Sequence, residues 1–250
     1  MMKRPEMILF DWGGTLAYGG FDGISGTQAV LDAAKNSNGC TAKQIQDFAD
    51  TMNKEFGRLY GYGTDEPLTE VHQYPFQRFL YEYFGVELGM SMAQAEEIFW
   101  TAANKISNTD GIEDFLHYLK SEGIRTAVIS NISFSEQALC SRINSYLPDN
   151  DFEFIIASSE YVYRKPSPRI FELALRKAGI SADKAWYCGD NVYCDVAGSA
   201  NAGLTPVWYK GALYGEQPSP TADCIEVSSW KELKEIISSL SLMKSEYRIL

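Results

Sequence analysis

Positive charge is scarce in this chain. Lys and Arg number 22 against 33 Asp and Glu, for a net charge of −11. Nucleic-acid backbones are bound by clustered Lys and Arg, so nucleic acid is not expected as a partner. An anionic ligand must instead be held by local groups rather than by the overall field. Long apolar runs are missing too. None approaches the ~20 residues that cross a bilayer, so no membrane partner is expected. Two basic residues precede the short apolar run Met7-Ile8-Leu9-Phe10. That run is about half a signal-peptide core and stops at Asp11, so it predicts a first buried strand. Histidine is limited to His72 and His117. The five cysteines, Cys40, Cys140, Cys188, Cys194 and Cys224, are odd in number and lack a zinc-type spacing. They read as free thiols of a reducing compartment, and the expected location is cytoplasmic.

The 250 residues, 45% of them apolar, suffice for one large domain or for a core with a smaller inserted module. Two textures divide them. From about 26 to 106 the pattern is helical. Thr41-Ala42-Lys43-Gln44 and Ser91-Met92-Ala93-Gln94 are capping boxes. Behind the first, Ile45, Phe48, Met52, Phe56 and Leu59 share a helical face. A third helix is predicted to begin near Pro75. From 111 onward short apolar strands alternate with helices. The strands are predicted at Thr126–Ile129, Phe152–Ala157, Ala185–Cys188, Thr205–Tyr209 and Ile225–Val227. Such alternation predicts a parallel sheet covered on both faces. With a first strand at 7–11, the helical block interrupts an α/β core. The expected division is a core of 1–18 and 108–250 and an inserted helical domain of 19–107.

Open parallel sheets bind ligands at the carboxyl ends of their strands. The first strand ends in Asp11 and the next core strand in Ser130-Asn131. Arg164-Lys165-Pro166 follows the strand at 152–157, and Gly189-Asp190-Asn191, with Asp195 beyond it, ends the strand at 185–188. Three carboxylates, a lysine and a hydroxyl suit a Mg²⁺ ion together with a phosphate: hard oxygen ligands for the metal, Lys and hydroxyl for the phosphate oxygens.

This constellation resembles the haloacid dehalogenase superfamily over nearly the whole chain. Asp11-Trp12-Gly13-Gly14-Thr15-Leu16 is similar to the family's first motif, and Ile129-Ser130-Asn131 to its second. Lys165-Pro166 before a helix is similar to the third. Gly189-Asp190 through Asp195, with Gly198, Ala202 and Gly203 after it, is similar to the fourth. The resemblance implies a Rossmann-like core and, for the helical insert, the cap of subfamily I, called C1. It implies Asp11 as the nucleophile that forms an aspartyl phosphate, and Lys165 as the cation that neutralises it. Ser130, Asn131, Gly14 and Thr15 are then expected at the phosphate. Asp11, the Gly13 carbonyl, Asp190 and Asp195 are expected at Mg²⁺, with Asn191 a helper nearby. The implied substrate is a small phosphorylated metabolite, and the implied assembly is a monomer or homodimer.

One departure stands out. Typical phosphatases of the family carry a second Asp where this chain has Gly13. That Asp protonates the leaving oxygen, and such help is worth about 10²–10⁴-fold. Three consequences remain open: substrates with good leaving groups, a substitute acid such as His72, or a weakened site that binds phosphate in a regulatory role. The Asp-Trp-Gly-Gly-Thr run is also similar to phosphonoacetaldehyde hydrolases, which cleave a C–P bond with a cap lysine, and Lys54 is the candidate for that lysine. Dehalogenases of the family have Tyr at this position and need no metal, and neither feature fits. The loop Gly57–Gly63, with Arg58, Tyr60 and Tyr62, is a candidate recognition loop. The pairs Gly19-Gly20 and Asp22-Gly23 suit a hinge.

Overall fold

The computed structural model describes residues 2–55, 68–212 and 217–246. The chain opens with β1 (Met7–Phe10), β2 (Ala17–Phe21), α1 (Gly23–Ala33) and α2 (Ala42–Glu55). Next come α3 (Gln73–Tyr83), α4 (Met92–Ala103), β3 (Asn104–Asn108), α5 (Ile112–Ser121) and β4 (Arg125–Ser130). α6 (Glu136–Tyr146), β5 (Phe152–Ala157), α7 (Pro168–Ala178) and β6 (Ala185–Gly189) follow. The last described elements are α8 (Gly198–Asn201), β7 (Thr205–Tyr209), β8 (Ile225–Val227) and α9 (Trp230–Glu246).

Among the described residues, β5, β4, β1, β6, β7 and β8 form, in that order, one parallel sheet. The mixed α/β architecture predicted from the alternating strands and helices is therefore present. β1 explains why the sheet is covered on both faces. Its residues alternate between two cores: Ile8 and Phe10 join one apolar cluster, Met7 and Leu9 the other. Trp230 of α9 stacks on Phe115 of α5 and Tyr209 of β7 in the first cluster. Ile170, Phe171 and Ala174 of α7 fill the second.

The order also locates a binding crevice. From β1 the chain continues to β4 and β5 on one side, then returns to β6, β7 and β8 on the other. The carboxyl end of β1 is thus the topological switch point, where open α/β sheets bind ligands.

Local signals in the sequence account for most element ends. Ser91 and Gln94 form the reciprocal capping box at α4. Thr41 and Gln44 exchange the same contacts at α2, at 3.0 and 3.3 Å. Pro168 opens α7 and the left-handed Gly179 closes it. At the start of α9, Glu232 accepts from the Ser228 amide at 2.6 Å while its own amide donates to the Ser229 hydroxyl at 3.3 Å. α3 starts at Gln73 rather than at Pro75, because His72 caps it by accepting the Tyr74 amide at 3.0 Å.

Two features depart from the sequence-based expectation. β2 and β3 pair antiparallel, so the flanks of the helical segment form a two-stranded ribbon. Gly19-Gly20 lie inside it, where a Cβ on Gly19 would strike the Lys105 carbonyl, and Asp22 caps α1. Second, the small-residue segment after β6 is not one helix. A π-helical turn, Val192–Ala197, precedes the short α8. Of the residues expected on the helical face of α2, Phe56 and Leu59 lie outside the described residues, as does the loop Gly57–Gly63.

Between the ribbon strands, α1 packs against α4 and α2. Two buried acids tie this segment to the sheet-bearing part. Glu96 of α4 accepts from the Ser135 amide (2.8 Å) and hydroxyl (2.5 Å) at the start of α6. Glu70 accepts from Ser158 at 3.1 Å and pairs with the buried Arg164 at 3.6 Å.

Candidate active site

The turn after β1 is held by its own backbone. The Trp12 carbonyl accepts from the amides of Leu16 and Ala17, both at 3.0 Å, and the Gly14 amide donates to the Ala17 carbonyl at 2.8 Å. This wraps the chain so that Gly14, at φ +78°, lies against Asp190. A Cβ there would sit 2.6 Å from the Asp190 carboxylate. Only glycine meets both conditions. Gly189, at the end of β6, is crowded in the same way by the Asp195 carboxylate.

Alternation along β1 puts Asp11 on the side of Met7 and Leu9. Its Oδ1 accepts from the Trp12 amide at 2.7 Å and lies 2.9 Å from Lys165 Nζ. Lys165 is 1% exposed, and its Nζ also reaches Asp195 Oδ1 at 2.6 Å and the Tyr187 hydroxyl at 2.8 Å. The hydroxyl in turn donates to the Ile129 carbonyl at 3.0 Å. Asp195 Oδ2 accepts from the Asn191 amide at 2.9 Å. Ligand oxygens of Asp11, Asp190 and Asp195 lie within 4.8 Å of one another.

Burial and charge explain the protonation of these groups. Burial pushes Asp11 up to about 6, against the pull of Lys165. Burial and then the neighbouring Asp195 and Asp11 push Asp190 well above the usual carboxylate range. Burial would lower Lys165, but the two carboxylates outweigh it and hold the ammonium above the ordinary lysine value. One cation thus faces three clustered acids, and the acid farthest from it is short of positive charge. The donor set is all carboxylate oxygen, which fits a hard divalent cation.

The expected residues are distributed as follows. Asp11, Lys165, Asp190 and Asp195 converge. Ser130 ends β4 and is buried. Thr15 is fully buried with its hydroxyl unpartnered, so its side chain points inward while Gly14 fronts the acids. The Asn131 side chain is committed to Lys165: its Nδ2 donates to the Lys165 carbonyl at 2.8 Å and its Oδ1 accepts the Lys165 amide at 2.7 Å. The Asn191 oxygen accepts from the Tyr193 and Cys194 amides and caps the π-helical turn. Gly13 is exposed, and a Cβ on it would meet nothing within 4 Å.

His72, the substitute acid the sequence suggests, has both ring nitrogens engaged. Its Nδ1 accepts the Tyr74 amide and its Nε2 pairs with Glu160 at 3.3 Å. Lys54 and His117 are exposed, on α2 and α5. The residue that sequence reasoning missed is Tyr187. Its signal was available. It shares the face of Leu9, with which it is in register, and a buried phenol needs a hydrogen-bond partner.

A family model described as haloacid dehalogenase-like hydrolase matches residues 5–203. A glyceraldehyde 3-phosphate phosphatase of Pyrococcus furiosus is 26% identical over 219 residues, 86% of this chain and 85% of its own. A phosphoserine phosphatase of Thermus thermophilus is 36% identical over 72 residues, 29% of each chain. Among solved structures, a 2-haloacid dehalogenase from Pseudomonas syringae pv. Tomato DC3000 superposes with a TM-score of 0.61 at 19% identity, covering 96% of this chain and 99% of that one. A HAD phosphatase from Thermococcus onnurineus gives 0.61 at 21% identity, covering 94% and 98%. At these identities the structural matches speak for the fold.

Proposed function

The chain belongs to the haloacid dehalogenase-like hydrolases, and on that footing we propose that it is a Mg²⁺-dependent phosphatase of a small phosphorylated metabolite, working through an aspartyl phosphate on Asp11. The observation that carries this reading is Lys165, whose buried ammonium bridges Asp11 and Asp195 at the switch point of the sheet. The phosphatase names of the relatives support it. The 19–107 segment is read as the family's C1 cap over a core of 1–18 and 108–250. All five cysteines are free, and no described helix is long and apolar enough to cross a membrane. The proposed location, cytoplasmic, rests on the odd number and spacing of the cysteines in the sequence.

The proposed chemistry follows from the contacts. Both contacts of Asp11, from Trp12 and Lys165, fall on Oδ1, so Oδ2 is the oxygen directed at phosphorus. Oδ2 forms the new P–O bond as the ester P–O bond breaks, and the leaving oxygen departs with the electron pair. Water then cleaves the acyl phosphate, which releases inorganic phosphate and returns Asp11. Lys165 offsets the charge on Asp11 and on the transferring group. Ser130 and the neighbouring amides bind phosphoryl oxygens. Asp11, Asp190, Asp195 and the Gly13 carbonyl would hold Mg²⁺, which supplies further neutralisation of phosphoryl charge when bound. Gly13 offers no proton, so the leaving oxygen draws one from solvent or from the substrate itself.

The test is phosphate release with Mg²⁺ from acyl, aryl, anomeric and primary-alcohol phosphates, comparing wild type with Asp11→Asn. Turnover abolished by the substitution is the expected result. Absence of turnover on every substrate would instead favour a phosphate-binding role, the reading that the lost carboxylate at Gly13 keeps in play.

A further inference from the structure

The loop that leads into Lys165 is not fixed by burial in a core. Val162 is 60% exposed and Tyr163 44%. Val162 also has a left-handed backbone, φ +66°, in a tight turn where the Tyr163 amide donates to the Tyr161 carbonyl at 2.6 Å. A β-branched residue rarely adopts that region. It persists there only where surrounding contacts over-determine it. The helical segment supplies such contacts. Thr69 pairs antiparallel with Tyr163. On either side of that pair, the Glu70 amide donates to the Val162 carbonyl at 2.6 Å and the Arg164 amide to the Leu68 carbonyl at 3.0 Å. Residues 68–70 thus lie as a strap along 162–164, and Lys165 comes next in the chain.

The Glu70 side chain, fully buried, adds two contacts. It pairs with Arg164 at 3.6 Å and accepts from the Ser158 hydroxyl at 3.1 Å. The hydroxyl lies equally close to the Ile132 carbonyl, and its one proton favours the charged acceptor. The Ser158 oxygen in turn accepts the Ile132 amide at 2.9 Å. Ile132 directly follows Ser130 and Asn131. One carboxylate therefore touches both approaches to the acids: the residue before Lys165 and, through Ser158, the loop of Ser130. Asn131 joins the two approaches by holding the Lys165 backbone.

We propose that Glu70 is a positioning residue for phosphoryl transfer: it pins the strap that sets where Lys165 begins, and through Ser158 it keeps the Ser130 loop in register with that lysine. The strap stays paired throughout turnover. The proposal rests on the phosphatase reading of Asp11 and Lys165.

The test weakens the strap and then restores it covalently. Glu70→Gln keeps the shape and removes the charge facing Arg164. Thr69→Cys with Tyr163→Cys supplies the repair. The pair lies between the two amide bonds, where Cα atoms of an antiparallel pair are about 4.5 Å apart, within reach of a disulfide. Acetyl phosphate with Mg²⁺ is the substrate, below the melting temperature of every variant. Oxidised glutathione closes the bridge and dithiothreitol opens it, with wild type treated alike as control. A shift of 1 Å near reacting groups costs roughly 10²-fold, so a smaller one in Glu70→Gln should lower kcat by about tenfold. The Mg²⁺ concentration for half-maximal rate should stay the same, because Asp190 and Asp195 do not touch the strap. Closing the bridge in Glu70→Gln should restore most of kcat, and dithiothreitol should remove the gain. In the Glu70 background the closed bridge should leave kcat unchanged.

Full kcat in Glu70→Gln would overturn the proposal and assign Glu70 to folding alone. So would a lowered kcat that the bridge does not repair. Activity lost on closing the bridge in the Glu70 background would also overturn it, since the strap would then have to part in each cycle. Should Glu70→Gln fail to fold, Glu70→Asp keeps the charge beside Arg164 with a shorter reach, and the same comparisons decide. If wild type releases no phosphate, the phosphatase reading fails on its own, and calorimetric binding of inorganic phosphate replaces kcat. Binding weakened in Glu70→Gln and regained with the bridge supports the positioning role. Equal binding, or none, removes it.

Discussion

Asn131 grips the backbone of Lys165 at both ends: its amide donates to the lysine carbonyl at 2.8 Å and its oxygen accepts the lysine N–H at 2.7 Å. The loop after β4 therefore fixes where the cation beside Asp11 begins. Asn131→Leu keeps the volume and removes both bonds. A displacement of about 1 Å near reacting groups lowers rate by roughly 10²-fold. A fall in kcat of roughly 10–100-fold is expected, with KM for phosphate esters changing much less. Asn131→Asp, which keeps the bond from the Lys165 amide, should fall between the two. Unchanged kinetics in Asn131→Leu would assign the pair to folding alone.

Tyr187 gives a second handle on the same cation. Its hydroxyl accepts from Lys165 Nζ and donates to the Ile129 carbonyl. Tyr187→Phe leaves the ring against Phe171, where the centroids are 5.0 Å apart. Loss of the hydroxyl should lower stability by about 1 kcal/mol and kcat by roughly tenfold, since Lys165 loses one of its fixed contacts. Chemical denaturation and steady-state rates read the two effects separately.

The open space at Gly13 makes a gain of function testable. A side chain there meets no described atom within 4 Å of its Cβ, and the backbone is not in the left-handed region. Gly13→Asp should raise turnover of primary-alcohol phosphates by about tenfold or more, towards the 10²–10⁴-fold range of a placed acid. Acetyl phosphate, whose leaving group needs no proton, should gain little. Equal gains on both substrates would show that the missing acid is not what limits the enzyme.

Gly14 should tolerate no side chain. At φ +78°, with Asp190 in the place of a Cβ, Gly14→Ala combines backbone strain with displacement of an acid. Strain of this kind is about 1–3 kcal/mol. A lower melting temperature is expected together with a weakened Mg²⁺ requirement curve. Gly20→Ala in the ribbon, which meets nothing within 4 Å, is the control.

Metal should act as a stabiliser. Asp11, Asp190 and Asp195 crowd one another, and among the described residues Lys165 alone opposes them. Mg²⁺ at about 100 times its Kd should add about 2.7 kcal/mol to the folded state. Asp190→Asn relieves the repulsion, so its metal-free form should melt above metal-free wild type while losing most of the Mg²⁺-induced shift. A metal-free variant that melts lower would mean that the Asp190 charge is already compensated within the fold.

Two of the groups that converge were legible because each directly follows an apolar strand, and strand ends in a parallel sheet share one edge. They are Asp11 after Met7–Phe10 and Asp190 after Ala185–Gly189. Lys165 and Asp195, farther beyond β5 and β6, were placed by their likeness to the family's motifs. Roles set by long-range contact were not legible. Asn131 next to Ser130 gives no sign that its side chain turns to Lys165. The ribbon was hidden because Gly19-Gly20 looks like a linker, and its partner Asn104–Asn108 follows a helix without a break. The π-helical turn arises from Asn191, whose side chain caps it and whose amide holds Asp195. None of these contacts leaves a mark in residue periodicity.

The central position of β1 has a consequence for synthesis. The strand made first hydrogen-bonds on both edges to strands made much later, β4 and β6. Until β4 leaves the ribosome, Met7–Phe10 has no partner on either edge, and its four side chains belong to cores that do not yet exist. Such long-range pairing folds slowly and exposes apolar strand to aggregation. The nascent chain is also chemically silent, because Asp11 meets Lys165 and Asp195 only after translation has passed all three.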